Sequence, residues 1–234
     1  MSDAWFQGKV AIVTGGSRGI GAATARWLAA RGAHVVAASR SGDFPEGAEK
    51  PSSIRGFAAD MEKNDSVDAL FAFCDNTFGA LDILVNNAAV IDVAPFTELS
   101  DAQWRRMFDI NVFGMAHACR EAFRRMKPGS AIVNIGSIAG SHGREKFYGF
   151  SAYSASKAAV AALSEALSVE GRARGIRVNC VAPGAVDTAM LRQAAPGLQT
   201  SAKPEDIAET IGFLCDGSRA AVHTGGVIEV LTNG

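Results

Sequence analysis

A glycine-rich segment lies between an apolar run at residues 10–14 and a helical pattern at residues 22–30. It reads Thr-Gly-Gly-Ser-Arg-Gly-Ile-Gly from residue 14 to residue 21. Glycines at a strand-to-helix turn let backbone N–H groups and the positive end of the helix dipole approach a pyrophosphate closely. A merely glycine-rich turn is the alternative, but the order of strand, turn and helix favours a dinucleotide site. The expected contacts are Gly15, Ser17, Arg18, Gly19, Ile20 and Gly21.

Short β-branched runs alternate with longer helical patterns along the chain. Strands are predicted at residues 10–14, 35–38, 56–59, 83–85, 131–135, 177–181 and 227–231. Near-continuous apolar runs suit strands covered on both faces, and their alternation with helices is typical of a parallel sheet. We therefore expect an α/β fold, a doubly wound (Rossmann-type) parallel sheet of about seven strands with helices on both faces. Residues 41–53 hold two prolines and two glycines, which predict a loop in place of a crossover helix.

Length and composition narrow the class of protein. No internal repeat or low-complexity linker divides the 234 residues, so we expect one domain, residues 1–234. A formal net charge of −1 and the lack of a Lys/Arg-rich run argue against nucleic acid or an anionic membrane as partner, and favour a small molecule. The first residues lack a signal-peptide pattern, and no apolar run reaches about 18 residues. The sequence therefore predicts a protein that is neither exported nor membrane-spanning.

The cysteines and histidines form no recognisable ligand pattern. The cysteines are scattered, with no Cys-x-x-Cys, and are Cys74, Cys119, Cys180 and Cys215. Neither a disulfide framework nor a zinc site is suggested, so reduced thiols and a cytoplasmic location fit best. The histidines have no ligand spacing and are interpreted as structural or superficial: His34, His117, His142 and His223. We expect no metal.

Tyr153 and Lys157 stand four residues apart in Ser-Ala-Tyr-Ser-Ala-Ser-Lys. Residues at i and i+4 share one helix face, so the Lys157 ammonium can lie near the Tyr153 phenol and lower its pKa. A phenol with a lowered pKa is a usable proton donor or acceptor near neutrality. An isolated Tyr-x-x-x-Lys would more simply be an ordinary solvated helix, so the accompanying motifs decide the interpretation.

Together with this pair, the glycine spacing Gly-x-x-x-Gly-x-Gly resembles that of the short-chain dehydrogenase/reductase family, which includes the 3-oxoacyl-[acyl-carrier-protein] reductases. The resemblance covers nearly the whole chain, and any one motif could arise by chance, whereas all of them in order are very specific. The further motifs are Asn86-Asn87-Ala88-Ala89, Asn111 in Asp-Ile-Asn-Val, Ser137 in Ile-Gly-Ser-Ile-Ala-Gly, and Pro183-Gly184-Ala185-Val186-Asp187-Thr188.

The resemblance implies a catalytic tetrad of Asn111, Ser137, Tyr153 and Lys157. Ser137 would orient the substrate carbonyl, while Tyr153 donates the proton or, in the reverse step, accepts it. Lys157 would hold the nicotinamide ribose and lower the Tyr153 pKa, and Asn111 would help to bind a proton-relay water. The alternatives are a helix-capping Ser137 and a structural Asn111.

Cofactor choice is expected at the end of the second strand, where an acidic residue would bond the ribose 2′-hydroxyl of NAD. This chain has Ser39 and Arg40 there, and Arg40 with Arg18 can pair with a 2′-phosphate. We therefore predict NADP(H) in preference to NAD(H), the alternative being that Asp43 meets a ribose. The resemblance adds further cofactor contacts: Asp60, Met61, Asn87, Ala88, Pro183, Gly184, Val186 and Thr188, with Tyr153 and Lys157.

Two segments depart from the family pattern. Ser137 and Tyr153 lie sixteen residues apart, about three more than is usual in the family, and the extra length falls in residues 141–148. The His142, Arg144 and Lys146 side chains there could bind an acidic group, although a solvated charged loop is the simpler interpretation. After Thr188 only residues 189–202 are left for a lid, with Met190, Leu191 and Leu198 as an apolar lining.

We thus expect an NADP(H)-dependent oxidoreductase that transfers a hydride between nicotinamide and a carbonyl or secondary alcohol, that is, a ketone reductase or alcohol dehydrogenase. The alternatives are a dinucleotide-binding sensor without turnover and an NAD-dependent polyol or sugar dehydrogenase. The helix over residues 152–169, rich in Ala and Ser, resembles the family's subunit-pairing helix. A homodimer or homotetramer is expected on that ground.

Overall fold

The computed structural model describes residues 3–44 and 53–231. Within them, one parallel sheet has the strand order β3-β2-β1-β4-β5-β6-β7. The strands are β1 (Val10–Thr14), β2 (His34–Ser39), β3 (Ile54–Ala58), β4 (Ile83–Asn86), β5 (Ala131–Ile135), β6 (Arg177–Pro183) and β7 (Val227–Val230). Each overlaps a predicted run, which confirms the doubly wound parallel sheet. The single-domain organisation over residues 1–234 stays a prediction.

Helices cover both faces of the sheet. They are α1 (Gly19–Ala30), α2 (Asn64–Phe78), α3 (Asp101–Phe108), α4 (Met115–Arg125), α5 (Ser151–Arg172), α6 (Ala189–Ala194) and α7 (Pro204–Cys215). Side chains alternate between the two cores along each strand: Ile12 packs with α2, α4 and α5, whereas Val13 packs with α1 and α7. Burial on both faces explains the near-continuous apolar runs.

The connection from β2 to β3 departs from the alternation of strand and helix. Residues 41–44 and 53 are not helical, in keeping with the predicted loop, and the remainder of that loop, residues 45–52, lies outside the described residues. None of the helices in the described ranges combines the length and hydropathy needed to cross a membrane.

All four cysteines are unpaired and buried. Burial raises the pKa of the Cys74, Cys119 and Cys215 thiols to about 12 and that of Cys180 to about 11. These thiols therefore stay protonated in the folded protein at neutral pH, and they pack as small apolar side chains.

A chain of buried polar side chains joins β4, β5 and α5. Asn86 Nδ2 donates to Asn134 Oδ1 at 2.9 Å, and Asn134 Nδ2 donates to Ser164 Oγ at 2.9 Å. All three residues are almost completely buried, at 4%, 0% and 1% exposure. Burying an amide that keeps its hydrogen bonds costs little folding free energy, whereas burying one without hydrogen-bond partners destabilises the fold. The chain therefore fixes how α5 sits on the sheet.

We expect Asn134→Ala to lower the free energy of unfolding by about 2 kcal/mol, because it deprives Asn86 and Ser164 of a buried partner. Urea denaturation measures the difference. Asn76→Ala, on the exposed side of α2, is the matched control and should change stability by less than about 0.5 kcal/mol. Equal stability of the two variants would contradict this role.

Candidate active site

A cavity of about 910 Å³ opens at the carboxyl ends of the strands, where parallel α/β sheets bind their ligands. Nearly all predicted site residues line it, and Gly21 and Asn111 are the two that do not. The predicted residues that do line it are Gly15, Ser17, Arg18, Gly19, Ile20, Ser39, Arg40, Asp60, Met61, Asn87, Ala88, Ser137, Tyr153, Lys157, Pro183, Gly184, Val186 and Thr188.

The glycine turn is held in a fixed conformation on one side of this cavity. Gly15 and Gly19 have φ values of +63° and +53°, which favour glycine. A Cβ on Gly21 would stand 2.3 Å from the Gly15 carbonyl oxygen, so Gly21 acts by close packing behind the turn. Asn87 Nδ2 donates to the carbonyls of Thr14 and Gly15 at 3.0 and 3.1 Å.

The start of α1 is suited to a phosphate group. The first turn of α1 contains no acidic side chain, and its N-cap residue, Arg18, makes no side-chain capping bond. The positive end of the helix dipole and its unpaired N–H groups are therefore available at the cavity. The residues present thus fit a dinucleotide pyrophosphate.

On the opposite side, α5 brings Tyr153 and Lys157 to the cavity, as their spacing predicts. Tyr153 is 9% exposed and Lys157 is 3% exposed. The Lys157 Nζ donates to the Ile135 carbonyl at 2.7 Å and lies 5.7 Å from the centroid of the Tyr153 ring. Ile135, which accepts this bond, was not predicted as a site residue, because a backbone acceptor leaves no mark in the sequence.

The pKa of Tyr153 is not lowered, which corrects the expectation drawn from the Tyr-Lys spacing. Burial raises the pKa of the phenol to about 12, and the neighbouring Ser137 opposes this only in part. Burial also lowers the pKa of Lys157 to about 8. Removing the phenolate from water outweighs the attraction of an ammonium that is itself buried and directed at Ile135.

Ser137 follows β5, and its side chain both caps a short turn and lies at the cavity. Its Oγ accepts from the Ala139 N–H at 3.1 Å and so caps the short 3₁₀ turn Ile138–Gly140, as the capping alternative predicts. The residue nevertheless lines the cavity beside Tyr153. Capping fixes the position of the hydroxyl that faces the cavity.

Asn111 lies behind the cavity, in the π-helical segment Asp109–Gly114, and is 2% exposed. Its Oδ1 accepts from Val90 N at 2.8 Å, and its Nδ2 donates to Val90 O and Ser156 Oγ, both at 3.0 Å. The side chain thus joins the loop after β4 to α5, as the structural alternative predicts. Ser156 lies inside the Tyr153–Lys157 segment, but nothing in the sequence indicates that Asn111 links it to Val90.

The far end of the cavity carries residues from the end of β2 and from the glycine turn. Ser39, Arg40 and Arg18 line it, whereas Asp43 is exposed and does not. Within residues 3–44 and 53–231, neither arginine forms an ion pair with a carboxylate. This end of the site is therefore cationic.

The loop at residues 141–148 contributes aromatic side chains to the cavity. Phe147 and Tyr148 line it, whereas Arg144 and Lys146 do not. Arg144 pairs with Glu229 of β7 and holds the pKa of that carboxyl at about 2, and Lys146 donates to the Ser141 carbonyl. Nothing in this placement supports the interpretation that these cations bind an acidic substrate.

The short helix α6 closes the opposite edge. Thr188 caps it by accepting from Leu191 N at 3.2 Å, and a Cβ on Gly19 would lie 3.2 Å from the Thr188 methyl group. Met190, Leu191 and Leu198 line the cavity, as expected of an apolar lid.

Away from the cavity, Asp68 of α2 and His117 and Glu121 of α4 bring possible metal-ligand atoms within 4.8 Å of one another. The sequence analysis missed this group, because the i,i+4 pair on α4 meets Asp68 only in the fold. His117 Nε2 lies 2.7 Å from Asp68 Oδ1, and Glu121 bonds both Arg124 and Arg125. Since arginines occupy the Glu121 carboxylate, the group forms an ion-pair cluster. The expectation of no metal stays a prediction.

A phosphate-binding turn and a buried Tyr-Lys pair that border one cavity at the carboxyl edge of a parallel sheet define an oxidoreductase that uses a nicotinamide dinucleotide. The short chain dehydrogenase family matches residues 9–199. A cis-4-hydroxycyclohexanecarboxylate dehydrogenase from Sinomonas cyclohexanicum is 40% identical over 250 aligned residues, covering 98% of this chain and 97% of that protein. The chain belongs to the short chain dehydrogenase family, whose members act on hydroxyl and carbonyl groups.

Solved structures agree with this assignment. A short chain dehydrogenase from Burkholderia cenocepacia J2315, in complex with NADP, has a TM-score of 0.85 at 31% identity and covers 96% of this chain and 97% of its own. A 3-ketoacyl-(acyl-carrier-protein) reductase from Brucella melitensis, complexed with NADH, has a TM-score of 0.88 at 29% identity, with 97% and 98% covered.

The lowered pKa of Lys157 predicts a pH-dependent difference in stability. Between about 8 and the unfolded value of 10.5, the folded chain binds fewer protons at this site than the unfolded chain, so its contribution to stability rises with pH. Lys157→Met removes this dependence. We expect the stability of the variant relative to wild type to be greatest below pH 8 and to fall by about 3 kcal/mol towards pH 10.5.

Denaturant unfolding at several pH values measures this difference. Lys127→Met, at an exposed lysine, is the matched control for loss of a positive charge. A difference between the Lys157 variant and wild type that stays constant from pH 7 to pH 10.5 would contradict the effect of burial.

Proposed function

We propose that this chain is an NADP(H)-dependent ketone reductase, or dehydrogenase of the corresponding secondary alcohols, with Ser137, Tyr153 and Lys157 as catalytic residues. The observation that carries the proposal is that these three residues and the glycine turn line the same cavity. The glycine turn fits a pyrophosphate, because Gly15 and Gly19 line the cavity without side chains and Gly21 packs closely behind them.

Each residue has a role that follows from its surroundings. A bound nicotinamide would supply or accept the hydride. Tyr153 keeps its proton at neutral pH, since burial raises its pKa, and so donates it to the carbonyl oxygen during reduction. Ser137 directs that oxygen through its hydroxyl, which the 3₁₀ turn holds in place. Lys157 places a positive charge next to the phenol as the proton leaves it.

Asn111 acts here as a positioning residue. Its amide ties Val90 to Ser156 of the catalytic helix, so it sets the position of Tyr153 relative to the loop after β4. A relay water, which the family resemblance implies, would have to use the backbone of the π-helical segment, because both amide hydrogens of Asn111 are already donated and the side chain does not line the cavity.

The preference for NADP(H) is supported by the cationic end of the cavity. Arg18 and Arg40 line it with no acidic partner among the described residues, and Asp43 lies outside it. Guanidinium groups bind a 2′-phosphate through charge-assisted hydrogen bonds, while a ribose hydroxyl alone would gain little from them. Because the two solved relatives carry different cofactors, the preference rests on the residues of this chain.

The exposed side of α5 supports a homodimer or homotetramer. It presents small or apolar side chains about every four residues, from Ala158 through Ala162 and Ala166 to Val169. A helix face of this kind permits close packing against a second copy. Four unpaired cysteines support a cytoplasmic location.

Tyr153→Phe tests the catalytic assignment, because it removes only the hydroxyl. We expect kcat/KM for ketone reduction to fall by about 10²- to 10⁴-fold. The affinity for NADPH, measured by fluorescence titration, should stay within a few-fold of wild type. Near-normal turnover would refute the role of Tyr153. Tight NADPH binding without turnover of any ketone by the wild-type protein would favour the sensor.

Arg40→Ala tests the cofactor preference. We expect the Kd for NADPH to rise by about 10- to 100-fold, the equivalent of one hydrogen bond to a charged group, with little change for NADH. Arg172→Ala, at an exposed arginine in the last turn of α5, is the matched control for charge. An unchanged ratio of the two affinities would count against NADP(H) selection by Arg40.

A further inference from the structure

We propose that Phe147 and Tyr148 form a specificity wall for ketones or secondary alcohols that carry a bulky apolar ring, alicyclic or aromatic. This inference rests on the proposed function, because it concerns the substrate of the same site. It also separates this chain from enzymes that act on sugars or polyols.

The wall continues directly from the catalytic tyrosine. The ring centroids of Phe147 and Phe150 lie 5.5 Å apart, and those of Phe150 and Tyr153 lie 6.0 Å apart in an edge-to-face arrangement. All three aromatic residues line the cavity with Tyr148. A substrate whose carbonyl meets Tyr153 would therefore extend along aromatic surface.

The exposure of these rings points to a ligand. Phe147 is 46% exposed and Tyr148 is 85% exposed, both at the edge of the cavity. The exposed part of this patch does not stabilise the fold, whereas a bound apolar ring would remove it from water. Val93, 43% exposed, and Leu198, 45% exposed, extend the apolar surface around the same opening.

The charged groups near this end have partners of their own. Arg192 pairs with Asp187, both at the cavity, and Arg144 pairs with Glu229 on the outer side of the loop. The uncharged polar side chains that line the cavity next to the aromatic residues include Ser137, Tyr153 and Tyr148. A substrate with several hydroxyl groups would lose its hydration here and find few partners in exchange.

The loop that carries the wall is held at several points. Arg144 Nε donates to Glu229 Oε2 at 3.0 Å, which ties the loop to β7. The Ala94 N–H donates to the Gly149 carbonyl at 3.2 Å, and a Cβ on Gly149 would lie 3.0 Å from a Val93 methyl group. Because Gly149 has a φ of +79°, the chain turns there and directs the aromatic pair to the cavity.

The test compares three ketones with NADPH as reductant: 2-tetralone, 2-butanone and dihydroxyacetone. We expect wild type to prefer 2-tetralone and to use dihydroxyacetone least. In the Phe147→Ala/Tyr148→Ala variant, kcat/KM for 2-tetralone should fall by about 10- to 100-fold, mainly through KM, because the ring loses its apolar contacts. The value for 2-butanone should change by less than about threefold, and NADPH affinity should be unchanged.

Phe96→Ala is the matched control, because Phe96 is 68% exposed but does not line this cavity. A wild-type preference for dihydroxyacetone would contradict the specificity wall but not the proposed reductase activity. The same holds for an equal loss of kcat/KM for 2-tetralone and 2-butanone in the double variant.

A protein that reduces none of the three ketones would instead count against the proposed function. Calorimetric titration of 2-tetralone into the protein with NADP⁺ then tests separately whether Phe147 and Tyr148 bind an apolar ring. Binding that is lost in the double variant supports it, and binding that is absent or unchanged overturns it.

Discussion

The buried hydrogen bond from the Lys157 ammonium to the Ile135 carbonyl sets the geometry on which the site depends. It joins α5, which carries Tyr153, to the end of β5, which leads into Ser137. Packing enforces the same contact, since a Cβ on Gly140 would lie 2.5 Å from the backbone of Lys157. A buried ammonium without a partner would be costly, so the strand and the helix are held together at this point. The distance between the Ser137 and Tyr153 hydroxyls follows from that attachment.

The cavity divides into two ends of different chemistry. Around Arg18 and Arg40 it is cationic, and it is bordered by the start of α1. Beyond Tyr153 it is mainly apolar, and the cations nearby pair with carboxylates or donate to a backbone carbonyl. A dinucleotide with an anionic end and an apolar substrate can therefore bind in only one relative order. Tyr153 and Lys157 lie between the two ends of the cavity, where the proposed proton transfer would take place.

Much of this could be predicted from local patterns. The strands follow from runs of apolar residues, and the glycine turn and the Tyr-Lys pair depend on residues close together in the chain. The pKa of Tyr153 could not be predicted, because burial by distant elements decides it. The amide contacts of Asn111 join residues 21 and 45 positions away, so they too required the fold. In the loop at residues 141–148, composition indicated charge, yet the charged side chains turn to Glu229 and Ser141 and leave the aromatic ones at the cavity.

The four buried cysteines have a practical consequence. A thiol held protonated and out of water reacts slowly with alkylating reagents. Cys180 lies in β6, Cys119 in α4, Cys74 in the second half of α2 and Cys215 at the end of α7. Each thiol thus becomes reactive only when its own part of the fold opens. The rate at which each is modified would map local unfolding across the molecule with no introduced label.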